Sequence, residues 1–203
     1  MHLTENNIYH VFNRGNNKQK IFFSAENYPY FLYKTEKYIK PVCDILAWCL
    51  MPNHFHFLIQ ANVNSVSVIE DKHFKRQQFS QGVKQLLSWY TKAINKHEKR
   101  TGSLFQQNTK SVCVTEGGHS VETAFHYIHQ NPLKASLVTR MEDWAHSSFR
   151  EYMDLSENIL CNKNIMANYI NLDIPVLYKQ SYQAINFDLK DDSVSDKPQS
   201  LII

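Results

Sequence analysis

Glycine and proline are scarce in this chain, with 5 and 6 among 203 residues, which excludes a low-complexity or collagen-like polypeptide. The 4 cysteines, Cys43, Cys49, Cys113 and Cys161, form no CxxC pair, and they read as reduced core residues of a cytosolic protein. No apolar run approaches the roughly 18 residues of a membrane-spanning helix. Residues 1–7 lack the basic and apolar regions of a signal peptide. There is no internal repeat and no P-loop, so a phosphate cradle for ATP is not expected. What is abundant is apolar and aromatic: 43% of the residues are hydrophobic and 13% are Phe, Trp or Tyr, enough to bury a sizeable core. Charge is distributed unevenly. Residues 1–150 carry 18 Lys and Arg against 11 Asp and Glu, while residues 151–203 carry 4 against 8. A basic body with an acidic extension suits a polyanionic partner for the body, although such a balance is also common on solvated surfaces.

The hydrophobic pattern orders the body. Ile8–Asn13 reads as a strand and Arg14–Lys20 as a polar, basic loop. Ser24 is placed to cap a helix that runs to about Lys40, where Pro41 stops it. Val42–Leu50 is a second strand, expected to set Val42, Asp44, Leu46, Trp48 and Leu50 on one side. Met51–Asn53 turns into a third strand that ends near Gln60. Residues 61–74 read as a loop with a short helix. A long helix is expected over Lys75–Glu98, with Val83, Leu86, Leu87, Tyr90 and Ile94 as its buried stripe. Leu104–Gln107 and Ser111–Thr115 are extended, Gly117-Gly118 breaks the chain, and a last helix covers His119–Asn131, closed by Pro132. The first six elements spell a ferredoxin-like βαββαβ sandwich, an α+β fold with an antiparallel sheet, followed by the extra helix. The domain is expected over residues 1–155, followed by an acidic extension, 156–203, whose residues 188–200 read as disordered.

Two stretches carry chemistry. In the third strand, His54 and His56 stand two apart and share a face, while Phe55, Phe57 and Ile59 share the other. Such a pair is a candidate metal platform, or simply two solvated or hydrogen-bonded imidazoles. In the last helix, Tyr127 and Asn131 are i and i+4 and stack on one face; packing plus a cap would explain them equally well.

Taken with their neighbours, these stretches resemble a known family. Met51-Pro52-Asn53-His54-Phe55-His56-Phe57-Leu58-Ile59 is similar to the histidine–hydrophobic–histidine motif of HUH endonucleases, and Tyr127-Ile128-His129-Gln130-Asn131-Pro132-Leu133-Lys134-Ala135 is similar to their tyrosine helix. Tyr9-His10-Val11, Asn13-Arg14-Gly15, Gly102-Ser103-Leu104-Phe105-Gln106, Asp143-Trp144 and Ser147-Ser148-Phe149 with Tyr152 follow in the family's order. Over residues 5–152 the chain resembles single-tyrosine transposases of the insertion-sequence-200 type, in the branch of REP-associated tyrosine transposases. It departs at Ser136, where glycine is usual, and beyond Tyr152, where no counterpart is found. Asn131 stands where some relatives have glutamine.

The resemblance implies cleavage and rejoining of single-stranded DNA through a 5′-phosphotyrosine at Tyr127. It implies one divalent ion, Mg²⁺ or Mn²⁺, on His54, His56 and Asn131, and imperfect hairpins as the DNA recognised. Arg14, Lys18, Lys20, Arg76, Lys110 and Lys134 are candidate phosphate contacts. For the base that activates Tyr127, only His129 or the field of the ion come forward. A cytoplasmic, nucleoid-associated protein is implied, with no membrane partner and with monomer or homodimer open. Two other readings compete: a non-catalytic or domesticated hairpin-binding protein, and a metal-dependent hydrolase using only the histidines, which leaves Tyr127 without a role.

Overall fold

The computed structural model describes residues 1–71, 74–116, 120–157 and 159–183. Its centre is a four-stranded antiparallel sheet in the order β2-β3-β1-β6, formed by β1 (Ile8–Arg14), β2 (Asp44–Met51), β3 (His54–Gln60) and β6 (Lys110–Cys113). With α1 (Asn27–Tyr38) and α3 (Gln78–His97) as the connecting helices, this is the expected ferredoxin-like arrangement. β1 and β3 are the inner strands and are buried almost end to end.

The two faces of β3 behave as the alternation requires. Phe55 and Phe57 point to the α1/α3 layer, where the Phe31 ring lies 5.3 Å from Phe55 and 4.9 Å from Tyr90. α1 and α3 approach so closely that a Cβ added at Gly82 would sit 2.3 Å from the Tyr38 carbonyl oxygen, so glycine is required there. Val83, Leu86, Tyr90 and Ile94 are buried as expected, together with Phe79. The opposite face of the sheet is covered by α4 (Val121–Lys134), which packs against β2 and β3.

Several local expectations are revised. Ser24 does not cap α1. The helix starts at Asn27, whose side-chain oxygen accepts from the backbone N–H groups of Phe23 and Ser24 at 2.8 and 3.1 Å. In β2 the register slips between Ile45 and Ala47, so Asp44 and Trp48 fall on opposite faces rather than one; a bulge always breaks the period of two. The residues before α3 form a hairpin, β4 (Val68–Asp71) with β5 (Phe74–Gln77), preceded by a short α2 (Val63–Val66). Lys75 and Arg76 therefore lie on a strand, Lys75 paired with Glu70 at 3.2 Å, and α3 begins only at Gln78. Cys43, Cys49 and Cys161 are buried and free, whereas Cys113 is half-buried.

α4 runs through Pro132 to Lys134 instead of ending at Asn131. The reason is local. Proline removes the N–H that would reach the Ile128 carbonyl, and the Asn131 amide nitrogen donates to that carbonyl at 3.4 Å and to Tyr127's at 3.1 Å. Ser136, just past the helix, holds φ +55°, the left-handed conformation that glycine adopts most easily. Gly117, Gly118 and His119, called a break and a helix start above, lie outside the described residues, as does 188–200.

The chain after α5 (Phe149–Tyr152) is tied back to the domain. Glu151 accepts from the Trp48 indole at 2.6 Å and from the backbone N–H groups of Leu160 and Cys161 at 3.0 Å each. α6 (Lys163–Met166) lies beside β2, and α7 (Ile174–Ser181) packs on the back of α4. There the Gln130 amide donates to the carbonyls of Ser181 and Gln183 at 2.8 and 2.7 Å. The segment 146–148 lines the outer edge of β2, with Leu50 N–H on the His146 carbonyl and Ser148 N–H on the Trp48 carbonyl at 2.9 Å each, which shields an otherwise open strand edge.

Candidate active site

Strand register assembles the site. Lys110, Phe12 and His56 lie opposite one another across β6, β1 and β3, and Arg14 lies opposite His54 one pleat along. Since opposed residues point to the same side, His10, Phe12, Arg14, His54, His56 and Lys110 share the face that α4 covers. His54 and His56 are both buried, their rings at right angles with centroids 4.8 Å apart.

Each imidazole is oriented through its Nδ1. His54 Nδ1 is 2.6 Å from the Asn53 side-chain oxygen, so it carries the proton and leaves Nε2 as the lone-pair atom. His56 Nδ1 is 2.8 Å from Nε2 of His10, a fully buried residue on the neighbouring strand. His56 Nε2 is itself buried and makes no hydrogen bond. Burial, the largest cause, and the neighbouring Arg14 and histidine charges hold His54 down at about 3; burial and His54 press His56 well below the ordinary histidine value. Burial and His56 do the same to His10. All three are neutral at ordinary pH, the only form in which imidazole binds a metal.

Tyr127 approaches from α4. Its half-buried ring lies edge-on to His10 and His56, with centroids 6.0 and 6.1 Å away. Lys134 Nζ lies 5.5 Å from the same ring, so this lysine stands beside the tyrosine. Asn131 is buried one turn beyond Tyr127. Its amide nitrogen faces two carbonyl acceptors, which fixes the flip of the carboxamide and leaves the oxygen as its remaining donor of electron pairs. Among the described residues no three His, Cys, Asp or Glu side chains are grouped to hold a metal. A cation here therefore needs a carboxamide or substrate oxygen beside the two imidazoles. The buried, unbonded Nε2 of His56 and the oriented Nε2 of His54 suit such an ion.

The remaining sequence candidates divide. Arg14 and Lys110 line a small cleft with Phe12, His54, His56 and Asn108. Arg76 lines a separate, larger groove along α3. Lys18 and Lys20 are exposed on the loop after β1 and line neither cavity. His129, considered as a base for Tyr127, points elsewhere: its Nε2 is 2.7 Å from the Ser148 hydroxyl and its ring is packed on Phe125, because residues two apart on a helix face nearly opposite ways. His10 was missed. Its period-two relation to Phe12 and Arg14 on β1 was the available signal.

No family model and no curated protein matches the sequence. Solved structures do match. One of them, a REP-associated tyrosine transposase bound to a REP hairpin, superposes with a TM-score of 0.54 over 85% of this chain and 87% of that one, at 13% sequence identity. The chain thus has the fold of that transposase. Among the described residues, no helix is long and apolar enough to cross a membrane.

Proposed function

We propose that this protein is a metal-dependent, hairpin-recognising endonuclease and strand transferase for single-stranded DNA. The observation that carries this reading is the meeting, within one chain, of the Tyr127 ring with the His10–His56 pair at about 6 Å, on a fold shared with a hairpin-bound transposase. A tyrosine at a mere packing position would not require three neutral, mutually oriented histidines beneath it.

In this reading the Tyr127 phenolic oxygen attacks the scissile phosphorus. The bond from phosphorus to the 3′ oxygen breaks, that oxygen leaves as a 3′-hydroxyl, and the 5′-phosphate stays on Tyr127. One phosphodiester replaces another, so a later attack by a 3′-hydroxyl rejoins DNA and frees the tyrosine without ATP. His54 and His56, through Nε2, and the Asn131 oxygen would hold a divalent ion, Mn²⁺ by donor type or Mg²⁺ by abundance; such an ion polarises a phosphate oxygen. Arg14 and Lys110 offer positive charge to the phosphate in the cleft. Lys134, beside the Tyr127 ring, favours the phenolate that forms as the proton leaves.

The test is incubation with hairpin-bearing single-stranded DNA and Mn²⁺ or Mg²⁺, followed by a search for an SDS-resistant protein–DNA adduct. An adduct that disappears with EDTA and in Tyr127→Phe is expected. Cleavage that survives Tyr127→Phe would overturn the covalent mechanism. Tight hairpin binding with no adduct under any metal would assign the chain to non-catalytic binding.

A further inference from the structure

The groove along α3 is not part of the catalytic cleft, yet the two meet: Gln106 and Asn108 line both. The groove is open and holds about 630 Å³. Among the described residues that line it, the cationic side chains are Arg76, Lys84 and Lys92, the other polar groups are hydroxyls and carboxamides such as Thr109 and Asn95, and none is Asp or Glu. Loop 104–109 forms one wall and is fixed to β1: Asn13 donates to the Gln106 carbonyl at 3.1 Å and to the Thr109 hydroxyl at 2.9 Å. α3 forms the other wall, where Ser80, Lys84, Ser88 and Lys92 recur at i+4 along one flank.

At Lys92 the groove reaches an exposed aromatic cluster. Lys92 Nζ lies 5.0 Å from the centre of the Trp89 ring. Lys34, on α1, lies 5.2 Å from Tyr33 and 5.9 Å from the same Trp89. Trp89 is 48% exposed and Tyr33 55%, whereas Trp48 is only 5% exposed and Trp144 is partly buried. Two bare rings flanked by lysines, at the end of a trough with no carboxylate, have the composition of a single-strand track: cations for the backbone and flat faces for unstacked bases. The nearby Glu36 carboxylate faces Lys40 at 4.0 Å.

We propose that a single-stranded DNA segment adjoining the hairpin leaves the His54–His56 cleft, follows the α3 groove past Lys84 and Lys92, and stacks a base on Trp89. This rests on the DNA-processing reading above and adds to it a second contact surface on the helical layer, remote from Tyr127. The surface makes affinity depend on the length of the single-stranded flank. It reads no sequence of its own, because every base has a stackable face.

The experiment compares hairpin oligonucleotides with no extension and with an extension of about a dozen nucleotides, attached on either side in turn, by fluorescence anisotropy and by adduct formation. On one side the extension should tighten binding to the wild-type chain by about 5- to 150-fold, the range of one stacked base. Trp89→Ala should lose most of that gain while binding the bare hairpin like wild type. Lys84→Gln with Lys92→Gln should lower the slope of log affinity against log salt by roughly 0.7 per lost phosphate contact, for the extended substrate only. Quenching of tryptophan fluorescence by the extended oligonucleotide should vanish in Trp89→Phe. All these side chains are on the surface, and circular dichroism confirms folding. Extensions that add nothing in the wild type, with adduct formation intact, overturn the track and leave the catalytic reading standing. A wild-type chain that neither binds nor cleaves any hairpin overturns both.

Discussion

Replacing His10 tests how the site is built, because the residue lies beneath the Tyr127 ring and is hydrogen-bonded to His56. Its Nε2 lies 2.8 Å from His56 Nδ1, its ring is 0% exposed, and it stacks on Phe12 with centroids 4.9 Å apart. His10→Leu keeps the volume and apolar contact but removes the hydrogen bond. The loss of the bond costs about 0.5–1.5 kcal/mol, and stranding a buried Nδ1 on His56 adds about 1–3 kcal/mol. A drop of about 1.5–4.5 kcal/mol follows, or about 3–18 °C in Tm for a domain of this size, read by thermal and urea unfolding. The second readout separates packing from positioning. With Nδ1 no longer held by His10, the His56 ring loses its fixed tilt, and Mn²⁺ affinity measured by calorimetry should fall about 10- to 100-fold. His10→Gln, which restores a hydrogen-bonding side chain of similar reach, should recover part of both losses. Mn²⁺ affinity unchanged in a folded His10→Leu protein would refute the argument that this bond sets up a ligand, and His10 would then be a core residue only.

Three further outcomes are expected. Asn131→Leu should lower stability by about 1 kcal/mol, since its bonds to the Tyr127 and Ile128 carbonyls are lost, and should also abolish metal-dependent adduct formation; an adduct at the wild-type level would reduce Asn131 to a brace for the proline in α4. Glu142 is buried, which alone would raise its carboxyl, but hydrogen bonds from Tyr182, Arg140 and Tyr178 outweigh this and hold it at about 2 against an ordinary 4.5. A carboxylate lowered on folding stabilises above its ordinary value and loses that contribution as pH falls through the folded one. Glu142→Gln should therefore destabilise by about 1–3 kcal/mol at pH 7, with the gap closing in acid unfolding curves between pH 4.5 and 2; a gap that stays constant would count against it. Ser136→Gly should stabilise the chain by about 1 kcal/mol by relieving a left-handed serine at φ +55°, seen as a higher urea midpoint at unchanged m-value; a lower midpoint would mean that glycine's greater freedom in the unfolded state outweighs the relief.

The strands of the sheet and the two faces of β3 were legible in the residue order, because a period of two separates Phe55 and Phe57 from His54 and His56; the faces of β2 were not, because a bulge after Ile45 breaks that period. Errors came where one local rule met another. Ser24 is a good cap by type, yet the helix begins at Asn27 with no side-chain cap, and the Asn27 oxygen instead accepts from the N–H groups of Phe23 and Ser24 that lead into it. Pro132 should close a helix, but Asn131 satisfies the carbonyl that proline leaves over. Charged residues before α3 looked helical in sequence and instead pair as a hairpin, since Ile69 and Glu70 meet Arg76 and Lys75.

The sequence alone determined which atoms were available: two imidazoles on one strand face, and a phenol and a carboxamide one helical turn apart, each pair fixed by a local repeat of two or four residues. Whether those pairs meet depends on about seventy intervening residues, and local periodicity says nothing about that. The tertiary structure set α4 across the histidine face, with the Tyr127 ring 6.1 Å from His56. It also turned His129 into the core, brought in His10 from β1, and joined the catalytic cleft to a basic groove on the far side of loop 104–109. Strand register and helix placement carry these contacts, and both are properties of the packed sheet rather than of any one segment.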